Sequence, residues 1–230
     1  MTKTKVEKSF PLNTLEFLKK LSRNNNKEWF DENRELFKSD FLQPALQFVV
    51  DLGEKLHTIA PNIMAVPKID KSIFRLHRDV RFSKDKSPYK TNLGLYFWEG
   101  KRKKMECSGL YFHIDTKSYF LGAGMYMLSN DLLKTYREKV YNPALGKELV
   151  DIAKKVMKKG DYGLGGKTYK RIPKGFDPEY PYADYLLYSG FYVFYEGKNI
   201  NELVKDPVNF SFKIFKDMLP VHQWLVKNLG

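Results

Sequence analysis

The sequence predicts an α+β fold: a single domain with a mostly antiparallel sheet, an N-terminal helical hairpin and C-terminal helices packed on it. Three observations carry that expectation. Apolar residues recur at helical intervals before residue 60, between residues 129 and 156 and after residue 206. Between residues 69 and 121 they fall instead into short β-branched or aromatic runs separated by Gly, Asp, Lys and Pro. Strands and helices are grouped rather than alternating, which argues against βαβ units.

Taken in order, Asn13 and Glu16 have capping-box-like spacing ahead of Leu15, Leu18 and Leu21, and Asn24 to Asn26 interrupt that first helix. Glu28, three residues beyond Asn25, opens a second helix carrying Trp29, Phe30, Leu36 and Phe37. Asp40 is placed to cap a third, with Pro44 in its first turn and Pro61 beyond its end. Strands are expected at Ile69 to Leu76, Leu93 to Trp98, Leu110 to Ile114 and Ser118 to Leu121, with a hairpin turn at Ile114 to Ser118. Gly122 and Gly124 suit a tight passage from strand to helix. Ser129 or Asn130 caps the next helix, and Leu145, Leu149, Ile152 and Val156 form a further stripe. Residues 160–182 are Gly- and Pro-rich and loop-like, Phe191 to Tyr195 is a strand, and Asp206-Pro207 opens a terminal helix. No repeat or long polar linker divides the chain, so one domain over residues 10–228 is expected, behind a flexible basic lead over residues 1–9.

Composition narrows the function classes. The 230 residues are 43% apolar and 15% aromatic, enough for a substantial core. No apolar run is long enough to span a bilayer, and Met1 to Lys8 is polar, so a cytoplasmic protein without a membrane partner is expected. The single cysteine, Cys107, can form no intrachain disulfide, the four histidines lack metal-ligand spacing, and no metal site is expected; the sequence names no cofactor. The net charge of +13 is regional: residues 68–104 carry twelve Lys/Arg against four Asp/Glu, and residues 154–174 eight against one. Such segments concentrate anions if the fold brings them together.

The densest polar cluster, Arg75 to Thr91, follows an apolar run. On a regular strand Phe74, Leu76 and Arg78 share a face, which would hold a guanidinium among apolar side chains and demand an anionic partner. Arg75, Arg78 and Arg81 suit forked contact with phosphate or carboxylate, while Lys84, Lys86 and Lys90 act as mobile point charges. Asp79, Asp85, His77 and Tyr89 are the candidate acid, base or orienting groups. The bland alternative is a structural ion network locking a loop to the sheet. The pattern R-x-x-R-D-x-R-F-S-K-D-K-x-P-Y-K-T, with Leu15 to Phe30 upstream, Gly122 and Gly124, and Pro173 to Asp177, resembles domain-of-unknown-function family 2461. The resemblance places Arg75, Arg78, Asp79, Arg81, Phe82, Lys86 and Tyr89 at signature positions; it implies no reaction, substrate or cofactor.

Gly160 to Thr168 fails the Walker pattern because Asp161 occupies its first glycine position, though Lys167 and Arg171 on a glycine-rich loop remain candidate anion contacts. Residues 180–195 contain eight aromatics, which beside basic segments suit stacking of nucleic-acid bases. The expected partner is an anionic small molecule held at the Arg/Asp/Lys signature, with any catalytic roles falling to Asp79, Asp85, His77 and Tyr89 and the 160–176 loop as its closing element. Nucleic acid bound by segments 68–104, 154–174 and 180–195 is the alternative.

Overall fold

The computed structural model describes residues 10–230; the expected lead over residues 1–9 lies outside the described residues. α1 (Leu12–Arg23) and α2 (Lys27–Glu32) form the N-terminal hairpin. The cap of α2 is Asn26, whose side chain accepts from the Trp29 backbone N–H at 2.8 Å, rather than Asn25. Asp40 caps nothing: α3 (Arg34–Leu36) runs through a π-helical turn (Phe37–Leu42) straight into α4 (Gln43–His57), with Pro44 in the first turn of α4 as expected.

Five strands form one wholly antiparallel sheet: β1 (Asn92–Glu99), β2 (Ser108–Asp115), β3 (Tyr119–Met125), β4 (Tyr162–Lys167) and β5 (Tyr188–Gly197), in the order β1-β2-β3-β5-β4. The β2–β3 hairpin closes at the expected turn, where Asp115 Oδ1 accepts from the N–H groups of Lys117 and Ser118 at 2.7 and 2.9 Å. α5 (Asn130–Tyr141) and α6 (Pro143–Met157) precede β4, and α7 (Ile200–Lys205) and α8 (Pro207–Leu229) follow β5. Asp206 caps α8 with Pro207 in its first turn. No helix of the described residues is long and apolar enough to cross a membrane.

The two sheet faces differ completely. Leu95, Phe97, Leu110, Phe112, Leu121, Phe191 and Val193 point to one face and are fully buried. α8 covers that face with Phe215, Met218, Val221 and Leu225, and α4 packs behind with Phe48, Val49 and Leu52. The alternate residues, including Gly94, Tyr96, Tyr111, Phe120, Gly122, Tyr192 and Phe194, point to the other face, which no α-helix of the described residues covers.

Three expectations need correction. Ile69 to Leu76 is not a strand: Asp70 adopts a positive φ of 64°, and the segment touches the sheet only through isolated bridges such as Ile73 to Leu95. Alternation is lost there, so Ile73 and Leu76 are both buried while Phe74 is half-buried. Gly122 and Gly124 lie within β3 rather than at a strand-to-helix passage. The stretch 160–182 contains β4, disguised by its glycines. A Cβ at Gly163 or Gly165 would lie 2.4 Å from the Phe194 ring or 2.3 Å from the Tyr192 ring, so this edge strand gives up side chains to let β5 aromatics lie across it.

Candidate functional site

The signature folds as a self-braced loop beside β1. Arg78 N–H donates to Pro88 O at 2.9 Å and Lys90 N–H to Leu76 O at 2.8 Å, closing its base. Tyr89 is buried there, stacked on Phe30 at 4.3 Å with the His77 ring against its edge at 4.9 Å. Asn25, in the turn after α1, clamps the same point: its Nδ2 donates to Tyr89 O at 2.9 Å and its Oδ1 accepts from Tyr89 N–H at 3.1 Å. Asn25→Ala removes both bonds and is expected to cost about 1–3 kcal/mol. Thermal unfolding measures this, and an unchanged Tm would refute the clamp.

The loop's cations are largely engaged within it. Arg78, one quarter exposed, pairs with Asp85 and reaches Ser87 O and Ser83 Oγ at 3.3 and 3.4 Å. Arg81 grips Asp79 through Nη2 at 2.7 Å and Nε at 3.0 Å, and Lys86 Nζ donates to Val80 O at 3.0 Å. Hydrogen bonds from Arg81 hold the Asp79 carboxyl below its usual range; those from Ser87, then Arg78, hold Asp85 far below it. Both carboxylates are thus committed acceptors. Burial pushes the Tyr89 phenol up. His77 is exposed at the loop's base, and Phe82 projects from its tip at 95% exposure. Arg75 and Lys84 are exposed and have no carboxylate within 4 Å among the described residues.

Lys167 and Arg171 do not join this cluster. Lys167 lies on β4 and pairs with Asp184 at 2.5 Å, and Arg171 follows it at the surface. β4 and β1 occupy opposite edges of the sheet, four interstrand steps or about 19 Å apart. The two basic segments therefore lie toward opposite edges of the sheet rather than meet, with Lys159 of the second paired to Asp217 of α8 on the covered side, and the 160–176 stretch does not close over the signature.

Besides a recess of about 530 Å³ that gathers His77, Pro88 and Tyr89 of the signature with Lys27, Phe30 and Arg34, the structure has a groove of about 490 Å³ on the open face. Its floor is made by glycines at alternate positions, Gly94 on β1, Gly109 on β2, and Gly122 and Gly124 on β3, with Gly109 and Gly124 directly paired. Its walls are Phe74, Tyr96, Tyr111, Phe120 and Tyr192, and Met105, Tyr126 and Met127 form an exposed rim. Gly109 is obligatory because Tyr96, donating to Cys107 O at 2.7 Å, lies across it, where a Cβ would meet the ring at 2.5 Å.

One end of the groove is polar. Lys90 lines it and is the only charged side chain among the described residues that do. Its ammonium sits 5.7 Å from the Phe74 ring centre, beside Arg75; burial, then the Arg75 charge, pull its pKa down, with Asp70 opposing. Asn92 and Tyr111 line the same end, and both reach His113 Nδ1, Asn92 Nδ2 at 3.3 Å and Tyr111 Oη at 3.1 Å. Asp115 Oδ2 stands 3.7 Å from His113 Nε2. Burial pushes the Tyr111 phenol up to about 12 and draws His113 down, the latter opposed by Asp115.

Of the signature residues only Lys90 reaches the groove. Asn92 and Tyr111 escaped the sequence reading, which set His113 aside as a structural strand residue; their signal was the period-two alternation of glycine and aromatic residues along β1, β2 and β3. A second missed cluster joins Ser108, His222 and Glu99: Ser108 Oγ is 2.9 Å from His222 Nδ1, and Glu99 Oε2 is 3.1 Å from Nε2. It has the composition of a hydrolytic triad. Ser108 and His222 are 3% and 0% exposed and line neither recess described above, so the cluster ties α8 to the β1–β2 edge.

Among the described residues no group of three or more His, Cys, Asp or Glu is arranged to hold a metal ion. The sequence model of a family described as a conserved hypothetical protein, DUF2461, matches residues 13–224. The chain belongs to the DUF2461 family. The match spans the signature loop, all five strands and most of α8, so the groove and the loop lie within the family's domain. No curated protein and no solved structure matches the chain.

Proposed function

We propose that this protein binds an amphipathic small molecule in the glycine-floored groove, its apolar body lying on the open face and its carboxylate or phosphate beside Lys90. The observation that carries this reading is the coincidence of a floor of four glycines, walled by aromatic rings, with an ammonium at one end that has no carboxylate within 4 Å among the described residues. A 490 Å³ recess walled by aromatics, with a few polar groups gathered at one place, has the character of a small-molecule site. The signature loop supports it from behind: its base positions Lys90, while its own ion pairs leave Arg75 to add positive potential outside the mouth. Binding is assigned here without a reaction.

Titration calorimetry with 1-naphthoate, 1-naphthyl phosphate and neutral 1-naphthalenemethanol tests this. Both anions are expected to bind more tightly than the alcohol. Lys90→Met should weaken the anions about tenfold or more, the loss of one charge-assisted contact. Gly122→Val should abolish binding while preserving the fold, because a Cβ there crowds the Phe120 ring at 3.0 Å, stands at ordinary contact distance, 3.6 Å, from Val193 O, and β-branched residues suit strands. Equal binding by wild type and Gly122→Val, or none by wild type, would overturn the reading.

A second reading has its own support: an open antiparallel face bearing Tyr111, Phe120, Tyr192 and Phe194, with basic segments toward opposite edges of the sheet, suits stacking of single-stranded nucleic acid. It predicts oligouridine binding that falls about a thousandfold between 50 and 200 mM salt for six phosphate contacts. Binding to the naphthyl anions should change far less.

A further inference from the structure

Resting on that groove reading, we propose that the ligand is a carboxylic acid taken up as a monoanion together with one proton, and that His113 is the positioning residue that receives the proton. The argument begins with hydrogen-bond supply at the polar end. Neutral imidazole offers a single in-plane lone pair on Nδ1, yet two donors face that atom, Asn92 Nδ2 at 3.3 Å and Tyr111 Oη at 3.1 Å. Asp115 Oδ2, 3.7 Å from Nε2, favours the tautomer with its proton on Nε2, and Asp115 Oδ1 is occupied by the N–H groups of Lys117 and Ser118. In this state the Tyr111 proton is drawn toward His113, and the phenol turns lone pairs toward the groove, which repels an anion.

Protonation reverses that polarity. His113 Nδ1 then carries a proton and donates to Tyr111 Oη, the Asn92 amide turning its Nδ2 away, so the Tyr111 O–H is released to point into the groove beside Lys90. The site gains an O–H donor and, behind it, a positive charge. The groups facing His113 are Tyr111 and Asp115 on its own strand, Asn92 and Gly94 on β1, and Phe120 on β3. None of these besides Asp115 carries charge near neutrality, so the imidazole is the group able to switch. Burial draws the free His113 below its ordinary value of 6.5, and a bound anion favours its charged form. Proton uptake on binding therefore falls between the lowered free value and the higher value of the complex.

The ligand's charge follows from the same inventory. Lys90 is the only charged group among the described residues lining the groove, and a planar oxygen pair can meet an ammonium, a phenol and an amide at once. Asp115 Oδ2, 3.7 Å from Nε2, offsets the protonated imidazole, so Lys90 remains as the one compensating charge, which suits a carboxylate; a phosphate monoester dianion would leave a charge unmet in an apolar trough.

Titration of 1-naphthoate at pH 7.5 and pH 5.5, in buffers of different ionisation enthalpy, reads both affinity and proton uptake. The probe stays ionised throughout. Wild type is expected to bind about fivefold or more tightly at pH 5.5 with net proton uptake, and to prefer 1-naphthoate to 1-naphthyl phosphate at pH 7.5. His113→Gln and Tyr111→Phe should keep a cooperative unfolding transition and bind 1-naphthoate with no pH dependence. A wild-type affinity that is flat with pH, a slope surviving in His113→Gln, or preference for the phosphate overturns this inference while leaving the groove standing. Failure of every naphthyl compound to bind removes the groove and this inference with it.

Discussion

Gly124→Ala is expected to lower Tm by about 6–12 °C, corresponding to at least about 3 kcal/mol for a chain of this size. Gly124 lies within β3, between β2 and β5, with φ of 136°, a conformation that L side chains rarely adopt. A Cβ there would stand 2.3 Å from Phe191 O and 2.7 Å from Tyr192 Cα. Both are backbone atoms of the neighbouring strand, so relief requires parting β3 from β5. Gly122, two residues earlier on the same floor, is the internal control. Its φ is unremarkable and its nearest obstacle is a phenyl ring that can turn, so Gly122→Ala should change stability by no more than about 1 kcal/mol. Parallel thermal denaturation of the two variants decides the matter. A Gly124→Ala protein within 1 kcal/mol of wild type would mean the floor glycines are not held by backbone geometry.

His222→Leu is expected to cost about 3–5 kcal/mol at pH 7, because it strips two buried polar partners at once. Glu99 and Ser108 are register partners at one end of the β1–β2 ladder, and His222 reaches both from α8. Its removal leaves Ser108 Oγ without its acceptor or donor and Glu99, at 17% side-chain exposure, without the bond that most lowers its pKa. The sign of the pH dependence follows. Glu99 is depressed in the folded state, so the stability it contributes is present above its ordinary value of 4.5 and is lost as pH falls through the lower folded value. The gap between wild type and His222→Leu should therefore narrow between pH 5 and pH 3, whereas Ser108→Ala, which spares Glu99, should show a nearly constant gap of about 1–3 kcal/mol. Denaturant unfolding at the two pH values measures it; a His222→Leu gap independent of pH would exclude the Glu99 contribution.

The helical stripes of α1, α4, α6 and α8 were legible because helix periodicity and capping are local: Leu15, Leu18 and Leu21 are buried as their spacing implies, and Asp206-Pro207 opens α8. The β2–β3 hairpin was legible for the same reason, through the Asp115 turn. β4 was hidden because its glycines answer to rings on β5, some thirty positions away, and not to any local turn. The signature was legible as a dense polar cluster, but the strand expected ahead of it over Ile69 to Leu76 did not form. Asp70 breaks the strand, and Arg78 finds Asp85 within seven residues. The polar network named as an alternative describes Arg78, Arg81, Asp79 and Asp85 as the structure places them, while Lys90 alone carries the signature into the groove.

By itself the sequence determined the α+β class, the membership signature, the regional placement of positive charge and the positions of most helices, all of which follow from composition and from interactions between residues a few positions apart. Tertiary structure alone decided that four glycines from three strands form one floor, that the two basic segments stand at opposite edges of the sheet, and that Ser108, His222 and Glu99 meet across separations of 114 and 123 residues. The physical reason is that side-chain alternation tells which residues share a face of a strand, whereas strand order and register, set by the burial of the whole core under α8, decide which faces adjoin.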